Sequence, residues 1–413
     1  MRAEMIDFAS AAAIVAAVPA LGVERVDLAA AAGRTLAERI VAPADLVPFA
    51  RSAMDGFAVR AADVRDVPAL LPMGAEVFAE AGRVRHEPGT ATAIATGGAI
   101  PDGADAVIPI EDVLVSSGAI VVAGRIDAGH HVFPPGEDAR AGDELAAVGT
   151  TLRPADLGLL AAAGITSVAV YRLPRVALLS TGNELVPFTA MPAHGQIRDS
   201  NVVTIAAELR RFGIAELRVA TVSDDRGAVR AALDEALESA DLVVTIGGAS
   251  VGERDFIKGA CEALGVAFAF RAVGLRPARP TAFGRRGATA VAVLPGNPAS
   301  AFVAVHEFVR PAVAALGGRV ERMARIPARL AGSLHARKGR AYAAYCRVRF
   351  VDGAYVATPL VNQCSALTRL AADADGLVIV PADGRDLHDG DDAIVDVISW
   401  DRVHSAVAET ART

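Results

Sequence analysis

The chain has 413 residues, more than one hydrophobic core can organise, and at roughly 150 residues per domain its length predicts two to four domains. Its content of 53% hydrophobic and 22% charged residues excludes general disorder. The formal charge is −7 and no basic stripe is present, which argues against nucleic acid as the main partner. Any anionic ligand must therefore be bound by a local group of residues.

The cysteines and the N-terminal region indicate a cytoplasmic protein. Cys261, Cys346 and Cys364 lie far apart and predict neither a zinc site nor a disulfide framework. Residues 8–23 carry no charge, but Glu4 and Asp7 precede them, whereas a secretory signal begins with net positive charge. No segment reaches the roughly 18 unbroken apolar residues of a membrane span, so no membrane association is expected.

The first part of the chain is predicted to be helical and then rich in short strands. Alanine-rich periodicity favours helices at 10–18 and 28–40, and a further helix at 154–163. The segment between them contains proline, glycine and short apolar runs. The predicted strands are 56–59, 76–79, 91–94, 106–110 and 119–122.

From residue 175 the pattern changes to strands that alternate with helices. This alternation predicts βαβ units and a parallel sheet. The predicted strands are 176–179, 217–222, 241–246, 267–270 and 288–294, and the helices are 204–212, 227–239, 256–264 and 298–316. After residue 320 the short apolar runs 341–350, 355–359, 376–381 and 392–399 predict a small β domain.

Polar or glycine-rich turns follow four of the strands in this predicted sheet. In an open parallel sheet, ligands bind beyond the carboxyl ends of the strands, so these turns predict a binding site. They are STGNE at 180–184, SDD at 223–225, GGASVGERD at 247–255 and PGNP at 295–298.

The third turn has the composition of a phosphate-binding loop. Gly247, Gly248 and Gly252 would let the backbone approach a phosphate closely, and Ser250 adds a hydroxyl donor. An ordinary strand-to-helix turn, in which glycine only permits positive φ, is the alternative interpretation.

The PGNP turn has two interpretations. Pro295 and Pro298 either shape a ligand pocket or only rigidify the start of a helix.

Several carboxylates follow the same strands. Oxygen ligands beside a phosphate are what Mg²⁺ prefers, so these side chains predict a magnesium site. They are Glu184, Asp224, Asp225 and Asp255. Helix N-capping is the alternative, with at least equal weight for Asp224 and Asp225, which immediately precede a predicted helix.

The remaining candidates for ligand binding are a group of arginines and two turns in the N-terminal half of the chain. Arg271 and the run RPARP at 276–280 offer guanidinium groups for phosphate or another oxyanion, although a solvated basic loop would look similar. In the N-terminal half, SAMDGFAV at 52–59 and TGGAIP at 96–101 are turn-rich, and Asp55-Gly56 alone reads as an ordinary turn.

Taken together, these motifs resemble the molybdopterin molybdenumtransferase family, known as MoeA in bacteria and as the E domain of gephyrin in animals. They occur in the order of the family and cover nearly the whole chain. The matching segments are 52–59, 96–101 with 105–111, 136–138, 180–184, 199–201, 247–255, 294–300 and 363–367.

The resemblance implies a multidomain α/β plus β protein with four domains. Residues 1–44 and 141–172 would form a helical and extended linker domain, and 45–140 an inserted mostly-β domain. Residues 173–320 would form an adenylyltransferase-like (MogA-like) three-layer α/β domain with a parallel-rich sheet. Residues 321–413 would form a C-terminal β-barrel-like domain. The resemblance also implies a homodimer whose active site is shared between subunits.

The implied activity is molybdenum insertion. Family members bind adenylylated molybdopterin, hydrolyse the adenylyl group with Mg²⁺, insert molybdate and release AMP. By this resemblance Asp55 and Thr96 act from the neighbouring subunit, and Glu184, Asp225 and Asp255 serve metal and phosphate.

Further residues match the family as ligand-binding or functional positions. The cofactor-binding candidates are Thr181, Gly182, Gly247, Gly248, Ser250, Gly252, Arg276, Arg279, Pro295, Asn297 and Pro298. Asp138, Asp199 and Ser200 match other family positions. The adenylyltransferase and the molybdoenzymes that receive the cofactor are the implied protein partners.

The chain departs from the family at several cationic positions. RPARP replaces the usual Lys-Pro-Gly-Lys-Pro, a lysine of some members is Ala272, and an expected arginine falls on Tyr345. Whether Arg271, Arg276 and Arg279 replace those lysines is open, as is the choice between molybdenum and tungsten. A non-catalytic pterin-binding scaffold and the adenylyltransferase step itself are the alternative functions.

Overall fold

The computed structural model describes residues 5–77, 83–248, 256–321, 324–400 and 402–403. The chain forms two compact units. The main unit consists of Met1–Glu24, Gly33–Ala37 and Val170–Thr413, and the second unit consists of Arg25–Ala32 and Glu38–Ala169. The strands Val23–Asp27 and Ser167–Tyr171, which pair with each other, carry the chain between the units.

The second unit is mostly β, as predicted. Its core of Phe57, Ile108 and Ile120 lies against one six-stranded sheet. In spatial order the strands are Ala106–Pro109, Gly56–Val59, Ala91–Ile94, Ala69–Val77, Ala119–Val122 and Val113–Ser116. The two edge strands follow each other in the chain, joined by the 3₁₀ turn Ile110–Asp112. One short turn therefore connects the two opposite edges of the sheet.

Smaller elements complete this unit. They are the 3₁₀ turns Leu28–Ala30 and Ala61–Val64, the paired strands Arg51–Ser52 with Val132–Phe133 and Ile40–Val41 with Glu144–Ala146, and the helix Pro154–Ala162.

One of the two predicted N-terminal helices is present and the other is not. The helix Phe8–Ala16 begins at Asp7, whose carboxylate accepts a hydrogen bond from the N–H of Ser10 at 2.9 Å. The predicted helix at 28–40 is wrong, since only a single 3₁₀ turn forms there. Gly33 adopts φ +73°, and Leu36 is fully buried in a β-bridge with Val170. Tertiary burial thus overrides the helix propensity of this alanine-rich segment.

The main unit contains the predicted parallel-rich α/β sheet with helices on both faces. In spatial order its strands are Leu217–Val222, Val176–Thr181, Leu242–Ile246, Thr289–Leu294, Ala282–Arg286 and Ala267–Phe270. The first four are parallel, and the last two add antiparallel pairs at one side. The helices Phe8–Ala16, Ser200–Arg211 and Pro298–Leu316 cover one face, and Arg226–Ser239 and Phe256–Ala263 cover the other. The strand Ala282–Arg286 was not predicted.

The longest helix of the unit is buried in its core. Pro298–Leu316 contains a π-helical segment at Val305–Val309 between α-helical segments Pro298–Ala304 and Arg310–Leu316. By length and composition it is the one helix in the described part of the chain that could cross a membrane, but 83% of its apolar window is buried inside the protein. The contacts are those of a core helix.

The C-terminal part of the main unit is a closed five-stranded barrel, as the predicted β-barrel-like domain requires. Around the ring the strands are Ala341–Val351, Ala354–Pro359, Arg325–Leu330, Asp392–Val397 and Gly376–Val380. The short strand Leu275–Arg276 pairs with Ala341 and Tyr342, and the helix Thr368–Asp373 follows a loop between strands. Two residue pairs, Leu185–Val186 and Ile197–Arg198, form a separate parallel ladder.

An ion-pair cluster fixes the amino ends of two central strands. Arg172 donates two hydrogen bonds of 2.8 Å to the Asp241 carboxylate, and the backbone N–H of Arg175 donates a third of 2.8 Å. Burial alone would raise the pKa of Asp241, but these hydrogen bonds outweigh it and hold the pKa well below its usual range. The opposite, carboxyl ends of the same strands are thereby held in register.

Candidate functional site

A cavity of about 1130 Å³ lies at the carboxyl ends of the parallel strands of the main unit. Residues from all four predicted strand-end turns line it, together with residues of the barrel. From the turns these are Ser180, Thr181, Gly182, Glu184, Asp224, Gly247, Gly248, Pro295, Gly296, Asn297 and Pro298. The structure thus brings together side chains that are more than 100 residues apart.

The described part of the glycine-rich turn requires glycine. Gly247 has φ +90°, and a Cβ atom there would lie 2.5 Å from the carbonyl oxygen of Thr181. Gly248 has φ +62°, and a Cβ atom there would overlap the Ile257 side chain. Both glycines line the cavity. The other predicted residues of this turn, Ser250, Gly252 and Asp255, lie outside the described residues.

Of the predicted carboxylates, Glu184 and Asp224 line the cavity. The Glu184 carboxylate lies over Gly182, where a Cβ atom would be 2.9 Å from Oε2. The N–H of Asp224 donates to the Asn183 side-chain oxygen at 3.0 Å, which joins the first turn to the second. Both carboxylates are exposed to solvent within the cavity.

Asp225, for which metal binding was predicted and helix capping was the alternative, caps a helix. Its Oδ1 atom accepts a hydrogen bond of 2.9 Å from the N–H of Ala228, and it is the N-cap of Arg226–Ser239. The side chain does not line the cavity, whereas the preceding Asp224 does. The capping alternative was therefore correct for one of the two consecutive aspartates.

The carboxylates suit magnesium with a phosphate ligand more than a cage made by protein alone. Among the described residues, no group of three or more acidic, histidine or cysteine side chains could hold a metal ion. Mg²⁺ usually takes one or two carboxylates and completes its shell with water and phosphate oxygens. Glu184 and Asp224 match that donor set.

Arginines supply the positive charge of the cavity. The predicted Arg276 and Arg279 line it, and the Arg276 guanidinium lies 4.9 Å from the centre of the Tyr342 ring. Arg271 does not line it. Its guanidinium pairs with Glu262 and lies over the Phe268 ring at 5.3 Å. Two of the three candidate arginines thus line the cavity.

Two further arginines, Arg198 and Arg340, line the cavity and were missed. Arg198 immediately precedes the matched segment 199–201, which was the available signal in the sequence. Arg340 comes from the barrel and had no local signal. With these two, four guanidinium groups surround the space between the sheet and the barrel.

The loop of these arginines contains a non-glycine residue in an unfavourable backbone conformation. Ala278 stands where the family usually has glycine, and it has φ +95° while 2% exposed. Its carbonyl oxygen accepts hydrogen bonds from the N–H and the hydroxyl of Thr281, at 3.0 and 2.7 Å. The loop is held in this shape by buried contacts.

The turn at the start of the core helix is tied to the barrel. Asn297 is the N-cap residue, and its side-chain amide donates to the Ser365 hydroxyl at 3.3 Å. The N–H of Ala299 donates to the Ser365 carbonyl at 3.0 Å, and the Tyr345 hydroxyl donates to the Ala299 carbonyl at 2.7 Å. Tyr345 is fully buried, so this residue, which replaces the expected arginine, supports the cavity wall.

Asp199 and Ser200, which were matched to the family, also line the cavity. Asp199 is the N-cap of Ser200–Arg211 and accepts a hydrogen bond of 3.1 Å from the N–H of Val202 through Oδ1. The following Asn201 donates to the Gly296 carbonyl at 2.6 Å, which joins this helix start to the PGNP turn.

The predicted residues of the N-terminal half lie in the second unit. The Asp55 carboxylate accepts a hydrogen bond of 2.7 Å from the N–H of Thr96, so these two residues are brought together. Two backbone hydrogen bonds, between Ser52 and Gly98 at 2.9 Å and between Gly97 and Ser52 at 2.8 Å, join the two loops. Asp138 is exposed.

Models of three protein regions match the chain in succession. They are the MoeA N-terminal region (domain I and II) at residues 6–164, a probable molybdopterin binding domain at 177–315 and the MoeA C-terminal region (domain IV) at 327–400.

The chain is also similar to curated relatives along most of its length. The molybdopterin molybdenumtransferase of Synechococcus elongatus is 35% identical over 373 residues, which are 88% of this chain and 91% of the relative. That of Bacillus subtilis is 33% identical over 369 residues, which are 86% and 85% of the two chains. A crystal structure of a molybdopterin biosynthesis MoeA protein from Pyrococcus horikosii superposes with a TM-score of 0.81 at 30% identity, covering 96% of this chain and 100% of the other.

Proposed function

This chain belongs to the molybdopterin molybdenumtransferase family of transferases in molybdenum cofactor biosynthesis, and we propose that it inserts molybdate into molybdopterin. In the proposed reaction the phosphoanhydride of adenylylated molybdopterin is hydrolysed with Mg²⁺ and AMP is released. The freed pterin then takes molybdenum at its dithiolene.

One observation supports this proposal above the others: a single cavity combines carboxylates, glycine backbone and arginines. Cleavage of a phosphoanhydride requires stabilisation of negative charge more than a covalent nucleophile. At about 1130 Å³ the cavity is slightly larger than the usual range for small-molecule sites, which suits a nucleotide linked to a pterin. A site for a small oxyanion alone would not need this space.

Each group has a distinct task in the proposed reaction. Arg276 and Arg279 bind phosphate or molybdate oxygens through paired N–H donors. The backbone at Gly247 and Gly248 approaches the phosphate chain without steric hindrance from side chains. Glu184 and Asp224 would hold Mg²⁺, which would offset the charge of the phosphates.

We place Asp55 and Thr96 in the cavity of a second copy of the chain. This requires a homodimer, which is proposed from the family resemblance, as is a cytoplasmic location. The adenylyltransferase that supplies the substrate and the molybdoenzymes that take the product are the proposed transient partners.

The direct test supplies the purified protein with adenylylated molybdopterin, Mg²⁺ and molybdate and measures AMP release. Release that requires all components supports the proposal. The Glu184→Gln variant should lose roughly 10²-fold or more of the rate, because an anionic oxygen at the phosphate site is lost. Asp225→Asn is the matched control, since its side chain caps a helix outside the cavity, and should retain the rate.

Two results would replace the proposal by an alternative. Formation of adenylylated pterin from ATP without molybdate insertion would indicate the adenylyltransferase step. Tight pterin binding with no AMP release by the wild-type protein would indicate a non-catalytic scaffold.

A further inference from the structure

Two buried oxygen atoms in the cavity wall have no hydrogen-bond partner among the residues that the structure describes. They are Oδ2 of Asp199 and Oγ of Ser180. Asp199 is 3% exposed and Ser180 is 0% exposed. Because an unpaired buried polar atom is unfavourable, a ligand that fills the cavity is expected to pair with both.

Both oxygens lie on the same side of the sheet. Side chains alternate along a strand, so Ser180 shares its side of Val176–Thr181 with Leu178. Leu178 packs in the core on the side of the helix Ser200–Arg211. Asp199 is the N-cap of that helix, so its carboxylate lies on this side too.

The Asp199 carboxylate is held in a fixed orientation. Its backbone N–H donates to the Val186 carbonyl at 2.9 Å, and Oδ1 accepts from the N–H of Val202 at 3.1 Å. Only Oδ2 remains for a ligand. It is a preorganised acceptor, whose position costs little further entropy when a donor binds.

The chemistry of the two atoms selects the part of the ligand that they contact. Phosphate and molybdate oxygens carry no donor for a carboxylate and are attracted to the exposed Arg276 and Arg279. A buried carboxylate oxygen and a hydroxyl on the same side of one cavity instead match a neutral edge with N–H donors next to a carbonyl. The aminopyrimidine ring of a pterin carries this arrangement.

We propose that Asp199 and Ser180 bind the aminopyrimidine edge of the pterin and so select a 2-amino pteridine. Asp199 Oδ2 accepts hydrogen bonds from the amino group and the adjacent ring N–H, and the Ser180 hydroxyl donates to the ring carbonyl. This inference rests on the proposed function, in which a pterin is the substrate. Both residues lie in the segment 177–315 that matches the probable molybdopterin binding domain.

The test compares the binding of two free probes, pterin and lumazine, to the full-length protein by fluorescence titration. Lumazine has a carbonyl in place of the 2-amino group, so it would place an oxygen against the Asp199 carboxylate. Wild-type protein should prefer pterin by about 10-fold or more, since a site built around a hydrogen bond rejects the analogue that lacks it. Asp199→Asn should remove most of this preference while keeping the helix cap, because asparagine also caps helices.

Two more variants separate the roles. Ser180→Ala should weaken both probes by a similar factor, since both carry the ring carbonyl. Asp225→Asn makes the same change at a helix cap outside the cavity and should leave both affinities unchanged.

Three results would overturn the inference. In the first, the wild-type protein shows no preference between pterin and lumazine. In the second, Asp199→Asn retains the full preference for pterin. In the third, Asp199→Asn weakens Mg²⁺ binding in calorimetry while the pterin preference is intact, which would make Oδ2 a metal ligand.

The proposed function is judged separately by AMP release from the wild-type protein. Release with an unchanged probe preference in Asp199→Asn would overturn only the inference, and a preference that depends on Asp199 without any release would overturn only the function.

Discussion

The carboxylate of Asp55 accepts a hydrogen bond of 2.7 Å from the backbone N–H of Thr96, 41 residues later in the chain. The backbone and the hydroxyl of Thr96 both lower the pKa of Asp55 from its ordinary value of 3.8. The carboxylate is exposed, so its orientation is set by this contact rather than by surrounding core residues. The two residues therefore form one structural element.

Replacement of Asp55 by asparagine should lower AMP release by roughly 10²-fold and leave stability almost unchanged. The loss is expected because the exposed side chain stabilises little of the core but supplies a fixed negative charge. Asp66→Asn, at another exposed aspartate of the same unit, is the control and should keep the wild-type rate. In an NMR titration, the Thr96 amide should report an Asp55 midpoint below 3.8, and a midpoint above that value would contradict the assigned contact.

Arg276 and Arg271 should differ sharply in their effect on the reaction although they are only five positions apart in the chain. Arg276→Ala removes a guanidinium from the cavity and should raise the KM for molybdate or the adenylylated pterin by about 10-fold, as expected for loss of a charged hydrogen bond. Arg271→Ala, the matched control, only breaks the contacts with Glu262 and Phe268 and should leave KM unchanged. Equal effects of both variants would show that the loop acts as a diffuse positive patch.

Ala278→Gly should stabilise the protein by about 1 kcal/mol in urea denaturation, because φ +95° is unfavourable for alanine but not for glycine. Part of the gain is offset by the greater freedom of glycine in the unfolded chain. Ala272→Gly, in the same loop but outside the positive-φ region, should destabilise or have no effect. A loss of stability in Ala278→Gly would mean that the buried methyl group contributes more than the strain costs.

Stability should fall as the pH rises from about 4.5 to about 8, in part because of Glu307. The pKa of this carboxyl is raised from 4.5 to about 8, mainly by burial and also by the neighbouring Asp396 carboxylate, against smaller opposing effects of Arg325 and Arg310. A raised carboxyl pKa favours the protonated folded state, so this stabilisation is complete below 4.5 and is lost as the pH rises through 8.

Glu307→Gln should therefore reduce the fall in Tm between pH 5 and pH 8.5. At pH 8.5, the Tm of the variant and that of the wild type should differ by about 3 °C for each kcal/mol by which their unfolding free energies differ. Thermal unfolding at both pH values measures this effect. Glu216→Gln, at an exposed glutamate, should keep the wild-type pH dependence. If Glu307→Gln keeps the same dependence, another buried group, such as Asp396, carries it.

The location of the cavity could be predicted from the sequence, because apolar strand runs end at polar turns and parallel strands share one carboxyl edge. Whether Asp225 or Asp224 faces the cavity could not be predicted from the sequence. Which of two consecutive aspartates faces the cavity depends on where the next helix begins, and the helix begins at Arg226, one residue before the predicted start. Asp225 therefore caps it, and Asp224 faces the ligand space.

Long-range packing accounts for the other differences. The segment 28–40 has helix-forming residues, but Leu36 is needed in a bridge with Val170, 134 positions away. Arg340 reaches the cavity only because the barrel packs beside the sheet, and no local pattern around it indicates a ligand. Both outcomes depend on contacts that a single segment of sequence does not contain.

The hydrogen bonds from Asn297 and Ala299 to Ser365, and from Tyr345 to Ala299, have a consequence for how this protein can diverge. A chimaera that takes its barrel from a distant relative should assemble the cavity only if the donor barrel supplies matching hydrogen-bond partners for the start of the helix. Barrel and helix start would therefore have to be exchanged together for the cavity wall to be kept.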